Sequence, residues 1–102
     1  MEKTIYISGK ITGTDDYEAK FAEAEKKLEE QGYLVINPVE HGKWLQGIFS
    51  PKVPTWRDYM KADLQALMTT DCIYMLKDYK ESKGARLEHF LAKILKYEII
   101  YE

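Results

Sequence analysis

The sequence predicts an α/β domain, a small doubly wound (flavodoxin- or Rossmann-like) three-layer sandwich around a four-stranded parallel sheet. Two observations carry that expectation. Four short runs rich in β-branched and aromatic residues alternate with longer segments of helical periodicity, in the order βαβαβαβ. Strands that alternate with helices imply parallel pairing and helices on both faces of the sheet. The chain of 102 residues suits one such domain, spanning 1–102, and no more.

Thr4-Ile5-Tyr6-Ile7-Ser8 reads as a buried first strand, and Gly9-Lys10-Ile11-Thr12-Gly13 as the loop that follows. Asp15 or Asp16 can cap the next helix, and Asp15 with Glu18 three residues on matches a capping box. Tyr17, Phe21, Ala24 and Leu28 then recur at helical spacing, with Glu23, Lys26, Lys27, Glu29 and Glu30 turned to solvent. Gly32 closes this helix. Leu34-Val35-Ile36-Asn37 forms the second strand, stopped by Pro38. Between Val39 and Pro54 no clean period survives. Gly42, Gly47, Pro51 and Pro54 interrupt Trp44, Leu45, Ile48 and Phe49, so residues 38–54 are expected to be an irregular loop that acts as a lid or an interface. Thr55 and Asp58 match a second capping box, and Met60, Leu64, Leu67 and Met68 continue as one helical face. Cys72 to Leu76 is the third strand. The last helix opens at Ser82 and runs to about Lys96, and Glu98 to Glu102 closes the sheet.

Composition excludes several classes of function. A formal net charge of −2 and the absence of a basic run argue against a nucleic-acid binder. No apolar run approaches the roughly 20 residues that span a bilayer, and the start shows no signal-peptide core, so a cytoplasmic protein without a membrane role is expected. Cys72 is the only cysteine, which fits a reducing compartment. His41 and His89 are far apart and match no metal-ligand spacing, so no metal or other cofactor is expected. The glycines fit neither the dinucleotide fingerprint nor the P-loop.

The stretch Ser82-Lys83-Gly84-Ala85-Arg86-Leu87-Glu88 stands out. It opens a helix with a hydroxyl and an unencumbered backbone N–H, where the dipole favours an anion. Glu88 falls on a stripe otherwise made of Ala85, Leu91, Ala92 and Leu95. A carboxylate on such a stripe is either a first-turn charge helped by the dipole or a nucleophile or general base. Asp63 sits at the edge of the buried face of its helix, as a site residue or as an exposed partner of a nearby cation. Tyr6 and Ser8 share one face of the first strand; the tyrosine belongs to the core unless its hydroxyl reaches a carboxylate at the sheet's mouth. Trp44 and Trp56 flank the irregular loop and suit packing or stacking on a ring.

These residues together resemble the nucleoside 2-deoxyribosyltransferase superfamily, in particular a short bacterial and phage branch, and extend to the deoxynucleoside 5′-monophosphate N-glycosidases of the same fold. The resemblance rests on Tyr6-Ile7-Ser8-Gly9-Lys10-Ile11-Thr12-Gly13, Asn37-Pro38, Asp63-Leu64-x-x-Leu67-x-x-x-Asp71 and Ser82-x-Gly84-Ala85-x-x-Glu88-x-x-x-Ala92, in that order over almost the whole chain. It implies cleavage or transfer at the N-glycosidic bond of a deoxynucleoside or its 5′-monophosphate. Glu88 would be the nucleophile, Asp63 would bind the sugar or manage the leaving base's proton, and Tyr6 would orient Glu88. Ser82 and Gly84 would hold a 5′-phosphate, with Ser8 and Gly9 lining the same pocket. Arg86 replaces the second glycine of the monophosphate enzymes and is expected either to clamp the phosphate or to narrow the pocket; Phe90 stands where they have a small residue. The chain also ends at the fourth strand, without the fifth strand of the larger enzymes. Its exposed sheet edges suggest a homo-oligomer. The alternative is a non-catalytic module that holds a nucleotide in the same pocket; a third reading is a partner-binding protein that uses residues 39–54.

Overall fold

The computed structural model describes residues 2–102. Its elements run β1 (Thr4–Ser8), α1 (Tyr17–Glu30), β2 (Leu34–Ile36), α2 (Pro38–Phe49), α3 (Trp56–Met68), β3 (Cys72–Met75), α4 (Lys83–Ile94) and β4 (Glu98–Tyr101), with a short 3₁₀ turn at Tyr79–Glu81. The four strands form one parallel sheet in the order β2-β1-β3-β4.

Period-two alternation sends the two sides of each strand into different cores. Ile5, Ile7, Cys72 and Tyr74 meet Phe21, Ala24 and Leu28 of α1 on one face. Tyr6, Ile73 and Met75 meet Leu67 of α3 and Ala92 of α4 on the other. The result is the expected three-layer α/β arrangement with helices on both faces.

The helix ends follow local chemistry. Thr55 and Asp58 form the reciprocal capping box. Gly32, at φ +94°, ends α1, with its N–H donating to the carbonyl of Glu29 and the next N–H, of Tyr33, to Leu28. The expected Asp15–Glu18 box does not form. The N-cap of α1 is Asp16, whose carboxylate accepts from the Thr14 hydroxyl at 2.6 Å and makes no bond to a helix N–H.

The larger correction concerns residues 38–54. Pro38–Phe49 is a helix, and only residues 50–54 are irregular. Asn37 caps it by accepting from the Val39 N–H at 3.0 Å, and Pro38 occupies a first-turn position where its missing N–H costs nothing. Gly42 lies against the ring of Tyr59, where α2 packs on α3. Val39 and Leu45 are buried while Trp44 and Ile48 are exposed, so apolar residues lie on both sides of the helix and its period is masked.

Candidate active site

The chain leaves β1 for β2 on one side and then crosses to β3 on the other, so the carboxyl ends of β1 and β3 part where the order reverses. Such a switch point opens a crevice above the strands. A cavity of about 90 Å³ lies there, lined among others by Tyr6, Gly9, Met60, Asp63, Ser82, Gly84 and Glu88. A second cavity of about 230 Å³ shares Ile11, Pro38, Tyr59 and Asp63 with it and continues to Tyr17, Gly42 and Gln46. Asp63 thus stands where the two compartments meet.

Glu88 comes from the inward face of α4 and is only 4% exposed. Both of its carboxylate oxygens are occupied. The Tyr6 hydroxyl donates to Oε2 at 2.7 Å, and the Ser8 hydroxyl donates to Oε1 at 2.6 Å. Burial pushes the Glu88 carboxyl up to about 7, and the hydrogen bonds from Ser8 and Tyr6 pull against that rise. Burial, and then the charge of Glu88, also raises Asp63 to about 7. Among the described residues Glu88 receives two hydroxyl donors and Asp63 none. Hydrogen bonds to the charged form favour it, so the two hydroxyls work to keep Glu88 ionised, whereas nothing of that kind offsets the rise at Asp63.

The wall around Glu88 depends on close approaches. Ser82 caps α4, its hydroxyl accepting from the Ala85 N–H at 3.1 Å, which brings the first turn of that helix to the cleft. A Cβ on Gly84 would lie 2.9 Å from Met60 Sδ, and a Cβ on Gly9 would lie 2.6 Å from Leu76 Cδ1. Trp56 lines the cleft, and the Lys83 ammonium sits 4.3 Å from the centre of its ring. Asp78 ties the two loops at the mouth together. It accepts from the Lys10 N–H at 3.0 Å and from Lys20 Nζ at 3.1 Å.

Of the eight residues singled out from sequence, Tyr6, Gly9, Asp63, Ser82, Gly84 and Glu88 line one cleft. Ser8 and Arg86 do not. Ser8 is 1% exposed and lies behind the carboxylate it holds. Arg86 is exposed, because residues two apart on a helix point about 200° apart and Glu88 faces inward. It neither clamps a group in the cleft nor narrows it. Phe90, two positions on the other side of Glu88, is turned out by the same rule and is 59% exposed. Trp44 is exposed on α2, away from the cleft lining. Tyr59, Met60 and Gln46 were not foreseen as lining residues. Met60 reads from its spacing as part of a helical face, Tyr59 carries no pattern of its own, and Gln46 lies on the helix that the sequence hides. Among the described residues no group of three His, Cys, Asp or Glu is placed to hold a metal, and no helix is long and apolar enough to cross a membrane.

Fold and site together define a small parallel α/β domain whose switch-point cleft is lined by a hydroxyl-clamped glutamate and an aspartate. The chain belongs to the family described as a domain of unknown function, DUF4406, which matches residues 3–101. No curated protein matches it.

Proposed function

We propose that the protein cleaves, or transfers at, the N-glycosidic bond of a deoxynucleoside or deoxynucleoside 5′-monophosphate, with Glu88 as the nucleophile. One observation carries this reading: a buried, doubly hydrogen-bonded carboxylate shares a cleft with a second carboxyl of raised proton affinity. Glycosidic cleavage uses a pair of carboxyl groups, one to attack as a carboxylate and one to give a proton to the leaving group.

In this mechanism an oxygen of ionised Glu88 attacks the anomeric carbon as the C–N bond breaks. The bonding pair leaves with the base, which takes the proton of Asp63. The glycosyl ester on Glu88 is then opened by water or by a second base, and the Asp63 carboxylate takes up the released proton. Asp63 lies at the junction of the two cavities, so the sugar would occupy the smaller and the base the larger, beside Tyr17 and Tyr59. Ser82 and Gly84 at the start of α4 supply the end suited to a 5′-phosphate. We place this activity in the cytoplasm, consistent with a single buried thiol at Cys72. Exposed Met68, Phe90 and Ile94 on α3 and α4 support self-association.

The test is incubation with a panel of deoxynucleosides and their 5′-monophosphates, with free base as the readout. Base release that disappears in Glu88→Ala supports the reading. A raised melting temperature with one of these compounds, without any base release, would instead identify a binding module.

A further inference from the structure

Ser8 ends β1 one side-chain step beyond Tyr6 on the same face of the strand, and both hydroxyls point at Glu88. They take different oxygens. The 2.7 Å bond from Tyr6 ends on Oε2 and the 2.6 Å bond from Ser8 ends on Oε1. The terminal torsion of a glutamate is soft, so a single donor leaves the carboxylate free to swing and leaves the other oxygen free to take a proton. Two donors on two oxygens hold the carboxylate's plane and work against protonation of either oxygen. A protonated Glu88 would be a poorer acceptor, so both hydroxyl bonds would lose their charge assistance. Ser8 does not line the cleft, so its hydroxyl is not available to a ligand.

We propose that Ser8 is a positioning residue for Glu88: together with Tyr6 it grips both carboxylate oxygens, fixes their plane and favours the ionised, accepting form. This rests on reading Glu88 as the working carboxylate. The groups that face Glu88 are few. Tyr6 and Ser8 come from β1 and Asp63 from α3, while Ile73 and Met75 of β3 on that face are apolar. On α4 itself, Lys83, Arg86 and Lys93 are exposed. Ser8 is thus one of the two hydroxyls that hold this carboxylate.

The experiment compares the whole chain with Ser8→Ala and Ser8→Cys, the latter keeping the side-chain size with a weaker donor. The first readout is the titration of the Glu88 carboxyl by ¹³C NMR, without nucleotide. A hydrogen bond to a charged group is worth about 1.5–3 kcal/mol, so its loss in Ser8→Ala should raise the proton affinity of Glu88 about ten- to a hundredfold. Ser8→Cys should fall between this variant and wild type. The second readout is base release across pH. Ser8→Ala should lower kcat about tenfold or more near neutrality with KM unchanged, and raising the pH should restore part of the loss. An unmoved Glu88 titration in Ser8→Ala overturns the proposal, even if the melting temperature falls, because Ser8 would then be packing alone. If the wild-type chain releases no base, the glycosidase reading fails, and the NMR titration by itself decides for or against Ser8.

Discussion

Tyr6 and Glu88 lie 82 residues apart in the chain and 2.7 Å apart in the fold, phenol oxygen to carboxylate oxygen. Burial above all, and then the charges of Glu88 and Asp63, raises the Tyr6 phenol well above its ordinary range, so it remains a donor. Tyr6→Phe removes that donor and leaves Glu88 Oε2 buried without it. Urea unfolding should report a loss of about 1–3 kcal/mol. Base release by the still-folded variant should fall about tenfold or more.

The two raised carboxyls make stability depend on pH. Burial lifts Glu88 from 4.5 and Asp63 from 3.8, each to about 7. Between about pH 4 and pH 7 the folded chain therefore binds more protons than the unfolded one, and stability falls as pH rises through that window. The contribution is fully present below the unfolded values and lost above about 7. Asp63→Asn removes one of the two groups. Its unfolding midpoint in urea should vary less with pH, and at pH 7.5 it should be more stable than wild type by on the order of 1 kcal/mol. The same variant should release base far more slowly.

Lys96 closes α4 as Gly32 closes α1, with its N–H on Lys93 and the Tyr97 N–H on Ala92. It does so at φ +59°, a conformation that costs a side chain about 1 kcal/mol or more. Lys96→Gly should raise stability by about 1 kcal/mol, less any helix-end charge effect, and leave base release unchanged. Thermal melts at one pH are sufficient to check it.

Asp78 latches the loop after β1 to the segment after β3. Asp78→Ala releases the Lys10 N–H and leaves the Lys20 ammonium with its longer pair to Asp16 at 3.6 Å. The cleft residues Ile11 and Thr12 ride on that loop. Amide exchange at Lys10 should quicken, and KM should rise several-fold with a smaller change in kcat. Lys20→Met should have a milder effect, since the bond from the Lys10 N–H survives and a partly exposed ion pair contributes little.

Most of the fold was legible because strands and helices here keep their periods. The apolar stripe Phe21, Ala24 and Leu28 and the run from Cys72 to Leu76 each bury on a face or faces that the pattern names. The second helix was not legible. Its glycines and its apolar residues on opposite sides hide its period, and Asn37-Pro38 read as a strand stop when it is also a cap and first turn. With α2 hidden, the larger cavity had no visible wall. The site itself was mostly legible, since Glu88 and Tyr6 each sit on the inward phase of their elements. Arg86 is not legible from its motif: its neighbours there point into the cleft, whereas the helix turns it outward from Glu88. Ser8 was placed on the right face but one layer too shallow: the alternation gives direction along the strand, not depth beneath the carboxylate.

A covalent bond to Glu88 can be trapped by acid-quenching the protein during turnover of a reactive deoxynucleoside or its monophosphate and mapping its peptides by mass spectrometry. The expected result is one deoxyribosyl unit, or its 5′-phosphate, on the peptide carrying Glu88, absent from Glu88→Ala together with base release. Base release that continues in Glu88→Ala, with no adduct on the wild-type peptide, would contradict it.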